Sequence, residues 1–371
     1  MIIAALLVAA FALAYANGSN DNFKGVATLW GSGRLGYRPA LALATGATLL
    51  GSLAAVVDGS ALAASFSGKG LVPDAITSDP RFAFAVGGGA AFAVLAASRL
   101  GFPVSTTHAL IGALVGAGLV WVDGAVNVTR LGAAFVAPLL VSPILASGLA
   151  VTNYPLLRRG ARRMGLTPTV CVCAGAACAD PVPVAGATLA RLAPVLTIIA
   201  DEREVCEAHL GTGAAILDGA ALRDGTHVLS AAAVSFARGL NDTPKIAALL
   251  LVAPALALAT GGATLALAIA AGGLLGARRV AVTMSHGITT LSEGQGLVAN
   301  LTTAVVVLGA SRLGLPVSTT HVSCGALFGI GAATGRARLG TITQIVAAWV
   351  TTLPAGAIAA ALLALAVGAG R

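Results

Sequence analysis

Long apolar stretches, interrupted at a few points by compact polar groups, dominate the pattern of the chain. Leu41–Val57, Phe82–Ala97, Leu131–Val151, Leu249–Ala271 and Ile345–Val367 are long enough, or nearly so, to cross a ~30 Å hydrocarbon layer as helices. Met1–Ala14 is apolar without a basic leading region or a small-residue cleavage site, and reads as a retained first membrane helix. The run Asn17-Gly18-Ser19-Asn20-Asp21-Asn22 then interrupts that span. Polar groups in such a run would lack partners in lipid, so the pattern predicts a discontinuous helix that breaks there and resumes over Phe23–Trp30. A matching break is predicted at Asn241-Asp242. Ala109–Trp121 and Val322–Ala333 are too short to cross alone and read as half-helices that start inside the membrane. Two further stretches read as re-entrant: Ser65–Leu71, within a mixed connection over 58–81, and Ser285–Val298.

The interruptions repeat. Ser98–His108, SRLGFPVSTTH, returns 213 residues later at Ser311–His321 as SRLGLPVSTTH, with Phe102 exchanged for Leu315. Gly18–Lys24 is echoed 221 residues later by Gly239–Lys245, both carrying Asn-Asp and then Lys. The chain therefore divides into a first transmembrane repeat (1–163), an insertion (164–228) and a second transmembrane repeat (229–371). The insertion holds Pro168, Pro181, Pro183, the charges Asp201–Glu204 and four of the five cysteines. It reads as a small, partly β-rich soluble segment, and its place after Arg158–Arg163 puts it in the cytoplasm.

Composition turns the pattern into a class. The chain is 57% hydrophobic and 10% charged, against about 25% charged in soluble domains. Its 47 glycines suit closely packed membrane helices. The fold class is an all-α polytopic membrane protein of two similar halves, with discontinuous and re-entrant helices plus the small soluble insertion. The net charge of +8 comes largely from short arginine clusters between spans, which follow from topology first and from attraction of an anion second. With aromatics at 4% and charge confined between spans, nucleic acid is excluded as a partner. The expected setting is the cell membrane, crossed many times, with a homodimer as a compatible assembly.

Chemistry centres on the repeated elements. Pro103-Val104-Ser105-Thr106-Thr107 and Pro316-Val317-Ser318-Thr319-Thr320 have the residue types that open helices, and ordinary capping would explain one copy. Two copies, each before a half-helix, point to paired helix N-termini whose amides and hydroxyls suit a tetrahedral oxyanion. Asp21 and Asp242 are intramembrane carboxylates, candidates for cation ligand, proton carrier or acceptor from a protonated phosphate oxygen. A structural salt bridge such as Asp21 to Lys24 is the alternative. His108 and His321 either relay protons or hydrogen-bond a neighbouring helix, and the second is favoured. Arg238, Glu293 and Lys69 are secondary candidates. Cys171, Cys173, Cys178, Cys206 and His209 are metal-binding residue types in an unfamiliar spacing, so reduced thiols are the expected state and no metal is assigned. No catalytic motif such as H-E-x-x-H occurs, so neither an enzyme nor a cofactor is expected.

At these residues the sequence resembles the inorganic phosphate transporter family, over nearly all of the chain outside 164–228. The match rests on Gly18–Asp21, Gly239–Asp242, both PVSTTH elements and Gln295–Asn300. The resemblance implies an inverted-repeat transporter fold with helix breaks meeting near the midplane, and import of inorganic phosphate by cation symport with H⁺ or Na⁺. It implies binding roles for Asn20, Asp21, Ser105, Thr106, Thr107, Asn241, Asp242, Ser318, Thr319 and Thr320. The family's commoner pattern is Asn-Asp-x-x-Asn, whereas this chain has Lys24 and Lys245 at the last position. A fixed ammonium there would neutralise its aspartate in place of Na⁺, so protons are favoured as the coupling ion, or else the lysines also contact the anion. A sulfate permease of the same fold is the rival reading, disfavoured because sulfate offers the aspartates no hydrogen.

Overall fold

The computed structural model describes residues 1–121, 126–163, 170–176, 196–210, 215–253, 258–313, 315 and 317–368. Ten long helices are found among them: α1 Ile2–Asp21, α2 Tyr37–Asp58, α3 Pro80–Leu100, α4 Thr106–Trp121, α5 Ala137–Arg163, α6 Gly219–Ala247, α7 Leu258–Gly276, α8 Glu293–Arg312, α9 Thr319–Thr334 and α10 Leu339–Ala366. Six spans in the described residues are long and apolar enough to cross a membrane, and a seventh arises if Gly261–Gly276 and Arg278–Gly287, bent by 65°, count as one. The protein is a multi-pass membrane protein.

The chain forms two compact units, one of Met1–Tyr154 with His227–Arg371 and one of Pro155–Thr226. In the larger unit the repeats are visible as equivalent packing. Gly18 of α1 lies so close to α7 that a side chain would collide with Ile269 O and Gly273 N. Gly239 of α6 meets α2 in the same way at Thr48 O and Ser52 N. These contacts are related by the same 221-residue shift, so each repeat lays its first helix on the other repeat's second. Close backbone approach without Cβ is what glycine permits. The two first helices cross in opposite senses. His227 meets Thr28, Arg238 meets Asn22, and Asn17 meets Asp242. One index falls as the other rises, so the repeats are inverted.

The breaks differ from the sequence expectation. α1 continues through Asn17–Asp21, and the irregular backbone falls at 22–26, before a short helix over Ala27–Gly31. α6 runs through Asn241-Asp242 and Pro244 to Ala247, and a 3₁₀ turn over Ala248–Val252 follows. The polar run does not disrupt the helix because its side chains are buried and bonded to other helices. The stretch Ser285–Val298 contains a π-helical turn over Thr283–Gly287 and then the start of α8, capped by Ser292 and Gln295. Within 58–81, a helix over Ser60–Ser65 is followed by a turn that buries Phe66 and Leu71.

The smaller unit holds a three-stranded antiparallel sheet in the order β2-β1-β3, with β1 Val170–Ala176, β2 Leu196–Glu202 and β3 Ala215–Asp218. Strand alternation in β1 buries Cys171 and Cys173 on one face. A helix over Arg203–Leu210 brings Cys206 to Cys173 with 6.0 Å between Cα atoms, and the two form a disulfide. This corrects the expected set of reduced thiols, since Cys173 and Cys206 are each other's partner. It also removes them as metal ligands, and no cluster of three His, Cys, Asp or Glu able to hold a metal occurs among the described residues. Cys171 is buried, His209 is exposed, and Cys178 lies outside the described residues.

Candidate functional site

Helical spacing sets up the site. Asn17, Asp21 and Lys24 stand at i, i+4 and i+7, and Arg238, Asp242 and Lys245 repeat that spacing in the other half. Arg238, Asp242 and Lys245 share one side of α6, while Asn17 and Asp21 share one side of α1 and Lys24 follows in the irregular turn at 22–26. Because α1 and α6 cross in opposite senses, the two triads face each other. All six residues are buried, with Lys24 at 3% and Lys245 at 1% exposure.

Each lysine is held by oxygen atoms from both repeats. Lys24 Nζ donates to Asp21 Oδ1, to Asn20 Oδ1 at 3.0 Å, to Val104 O at 2.9 Å and to Thr320 Oγ1 of the other repeat. Lys245 Nζ donates to Val317 O at 2.9 Å, to Asp242 Oδ1 at 3.3 Å and to Thr107 Oγ1 of the other repeat at 3.0 Å. Val104 and Val317, like Thr107 and Thr320, are equivalent positions, so the two cages are related by the pseudo-symmetry. A carboxylate, a carbonyl and a hydroxyl around one cation are also the donor set that unwound membrane helices offer to alkali ions.

The triads differ at their first member, and that difference carries charge. Asn17 Nδ2 donates to Asp21 Oδ2 at 2.9 Å, Thr106 Oγ1 at 3.0 Å and Asp242 Oδ2 at 3.2 Å. Arg238, at the equivalent position, donates from Nη2 to Asn17 Oδ1 at 2.9 Å and from Nη1 to Asn22 Oδ1 at 3.0 Å and Thr48 Oγ1 at 3.3 Å. Its Nε lies 3.7 Å from Asp242 Oδ2 and has no hydrogen-bond partner among the described residues. Counted at their formal charges, Lys24, Lys245 and Arg238 stand against Asp21 and Asp242, one positive charge in excess.

The remaining predicted residues fall around this cluster. Asn20 Nδ2 donates to Ser98 Oγ and Phe102 O, each at 3.0 Å, and its Oδ1 also accepts from Val104 N. Asn241 Nδ2 reaches Asp242 Oδ1 at 3.2 Å and Val317 O at 3.3 Å, while Ser311 donates to its Oδ1. Ser105 and Ser318 cap their own half-helices, accepting from His108 N and His321 N at 3.2 Å. Thr319 is buried at the first turn of α9. His108 and His321 stand with ring centroids 4.5 Å apart, and His321 Nδ1 hydrogen-bonds Leu139 O at 3.1 Å. Glu293 opens α8, and Lys69 is exposed in the connection before α3. Arg238, secondary in the sequence reading, is central. Asn17, Asn22, Thr48 and the two valine carbonyls were missed, and the i, i+4, i+7 match between the halves was the signal for Asn17.

Comparisons with known proteins agree with this architecture. Residues 17–360 match the model of the phosphate transporter family. The chain is 30% identical over 426 residues to the chloroplastic inorganic phosphate transporter 2-1 of Arabidopsis thaliana, covering 95% of this chain and 70% of that protein. It is 30% identical over 312 residues to a putative phosphate permease of Haemophilus influenzae, covering 72% of this chain and 73% of that one. Among solved structures, a sodium-dependent phosphate transporter superimposes with a TM-score of 0.74 at 22% identity, over 99% of this chain and 98% of that one. At that identity the likeness is one of fold.

Proposed function

The chain belongs to the phosphate transporter family, and on that footing we propose that it imports inorganic phosphate across a cell membrane by symport with a cation, protons in preference to sodium. The observation that carries this reading is the charge of the buried cluster. An unbalanced charge inside a membrane protein is costly, and a bound monovalent oxyanion would cancel the excess left by Lys24, Lys245 and Arg238. Dihydrogen phosphate brings acceptor oxygens to the three cations and the Ser-Thr-Thr hydroxyls, and hydrogens that Asp21 or Asp242 can accept. Sulfate would bring two negative charges and no hydrogen, leaving the cluster negative and pressing on both carboxylates. Phosphate is therefore the better fit to the same donors.

The lysine cages support the choice of coupling ion. Lys24 and Lys245 occupy oxygen environments of the kind that hold Na⁺, and a tethered ammonium there competes with a soluble cation. Protons remain available as the coupled species, with Asp21 and Asp242 as carriers. Inverted repeats that cross at one central cluster support alternating access, in which the packing of α1 on α7 and of α6 on α2 exchanges around a fixed site.

The test is the pair Lys24→Asn with Lys245→Asn, assayed by phosphate uptake into proteoliposomes under an imposed sodium or proton gradient. The double variant is expected to gain sodium dependence. Unchanged sodium dependence would remove the lysine-for-sodium argument.

A further inference from the structure

Beside the central cluster, a cavity of about 560 Å³ opens between α1, α3 and the end of α7. Arg99, Arg278 and Arg279 line it together with Tyr15, Ser19 and Ser98, and no carboxylate does among the described residues; the hydroxyls of Ser19 and Ser98 donate to Gly272 O and Val94 O. Its inner wall reaches the central cluster in one step, because Ser98 accepts a hydrogen bond from Asn20, whose Oδ1 in turn accepts from Lys24. The cationic mouth is also fixed in place. Arg279 Nη1 donates to Arg99 O, Arg278 lies 6.0 Å from the ring centre of Tyr37, and Thr283 ties the same turn to Gly101 O at 2.8 Å.

The inverted repeat supplies an internal control. The 221-residue shift that relates the two crossings takes Tyr15 to Phe236, Ser19 to Leu240, Arg278 to Val57 and Arg279 to Asp58. The equivalent place in the other half thus keeps the scaffold and loses two hydroxyls and two arginines. If these arginines only set membrane topology, they would need no shared cavity.

We propose that this cavity is an outer anion site, present on one face of the protein, which captures phosphate and passes it across the Ser98–Asn20 layer to the central cluster. The proposal rests on the phosphate-transport reading and adds a second, one-sided site to it. Three like charges around a recess concentrate an anion and speed its arrival, an effect worth roughly 10–1,000-fold on association and weakened by salt.

The test uses the full-length protein in proteoliposomes of zwitterionic lipid, with ³²P-phosphate offered to one face at a time. Arg278→Gln with Arg279→Gln is expected to raise KM roughly tenfold from one face only, with kcat changed less than twofold and a flatter dependence on ionic strength. Arg278→Lys with Arg279→Lys should restore KM to within about twofold, since charge rather than shape draws the anion. Because Arg279 also ties down the Arg99 carbonyl, Arg278→Gln and Arg99→Gln singly should shift KM in the same direction with that bond intact. An unchanged KM from both faces in the single variants, or an equal rise from both faces, would overturn the proposal. So would a KM shift that appears only when anionic phospholipid is added, since the arginines would then be holding lipid headgroups. A wild-type protein that takes up no phosphate from either face would overturn the transport reading as well.

Discussion

Lys24 and Lys245 are each gripped by a carboxylate of their own repeat and a hydroxyl of the other. Removing one partner of such a buried pair leaves the other charge uncompensated, at a cost of about 3–5 kcal/mol. Lys24→Met is therefore expected to lower the unfolding temperature sharply. Adding Asp21→Asn should recover most of that loss while phosphate uptake stays abolished, because the donors and acceptors are still missing. Thermal unfolding paired with uptake distinguishes the two effects, and recovery of uptake in the double variant would contradict a binding role for the pair. Asn, Asp and Lys were legible in the sequence because they recur at matched spacing. Arg238 was legible only as a secondary candidate, because its repeat-equivalent is the neutral Asn17 and its hydrogen-bond partners Asn17, Asn22 and Thr48 lie far away in the chain. Only the antiparallel crossing of α1 and α6 makes Arg238 the source of the excess charge.

At the scale of elements, the half-helices α4 and α9 depend on their serine caps. Ser318→Ala is expected to destabilise the protein by about 1 kcal/mol, read as a lower unfolding temperature, and Ser105→Ala should do the same by symmetry. A larger cost applies where helices touch without side chains. Gly18→Ala would drive a methyl group into the α7 backbone at Ile269 and Gly273, and overpacking of this kind costs typically about 1–3 kcal/mol. Gly239→Ala meets α2 in the same way, so the two variants should fall in stability by similar amounts if the repeats are equivalent. The apolar runs and the two half-helix starts were readable from hydropathy and cap chemistry. The helix breaks were displaced because a polar run ends a membrane helix only when its side chains lack partners. Asn17 and Asn20 find theirs on α6, α4 and α3, which no local pattern reveals.

For the whole molecule, the 221-residue correspondence means that one crossing geometry is used twice in opposite directions, and the cluster sits where the two uses meet. The six residues of the cluster all lie in the larger compact unit. Deleting 164–218 behind a short polar linker, which leaves α6 and its His227 in place, is expected to leave phosphate uptake within about twofold, since the larger compact unit keeps every residue of the cluster. Loss of uptake by a well-folded deletion variant would give the insertion a role in transport. Its disulfide was not legible, because C-x-C-x4-C spacing leaves pairing open and the register of β1 against the following helix decides it. The most direct test of the central claim is ³²P-phosphate uptake by the reconstituted wild-type protein under an imposed proton or sodium gradient, with excess unlabelled sulfate as competitor. The account predicts uptake driven by protons and indifferent to sulfate. Uptake abolished by sulfate, or driven by sodium alone, would contradict it.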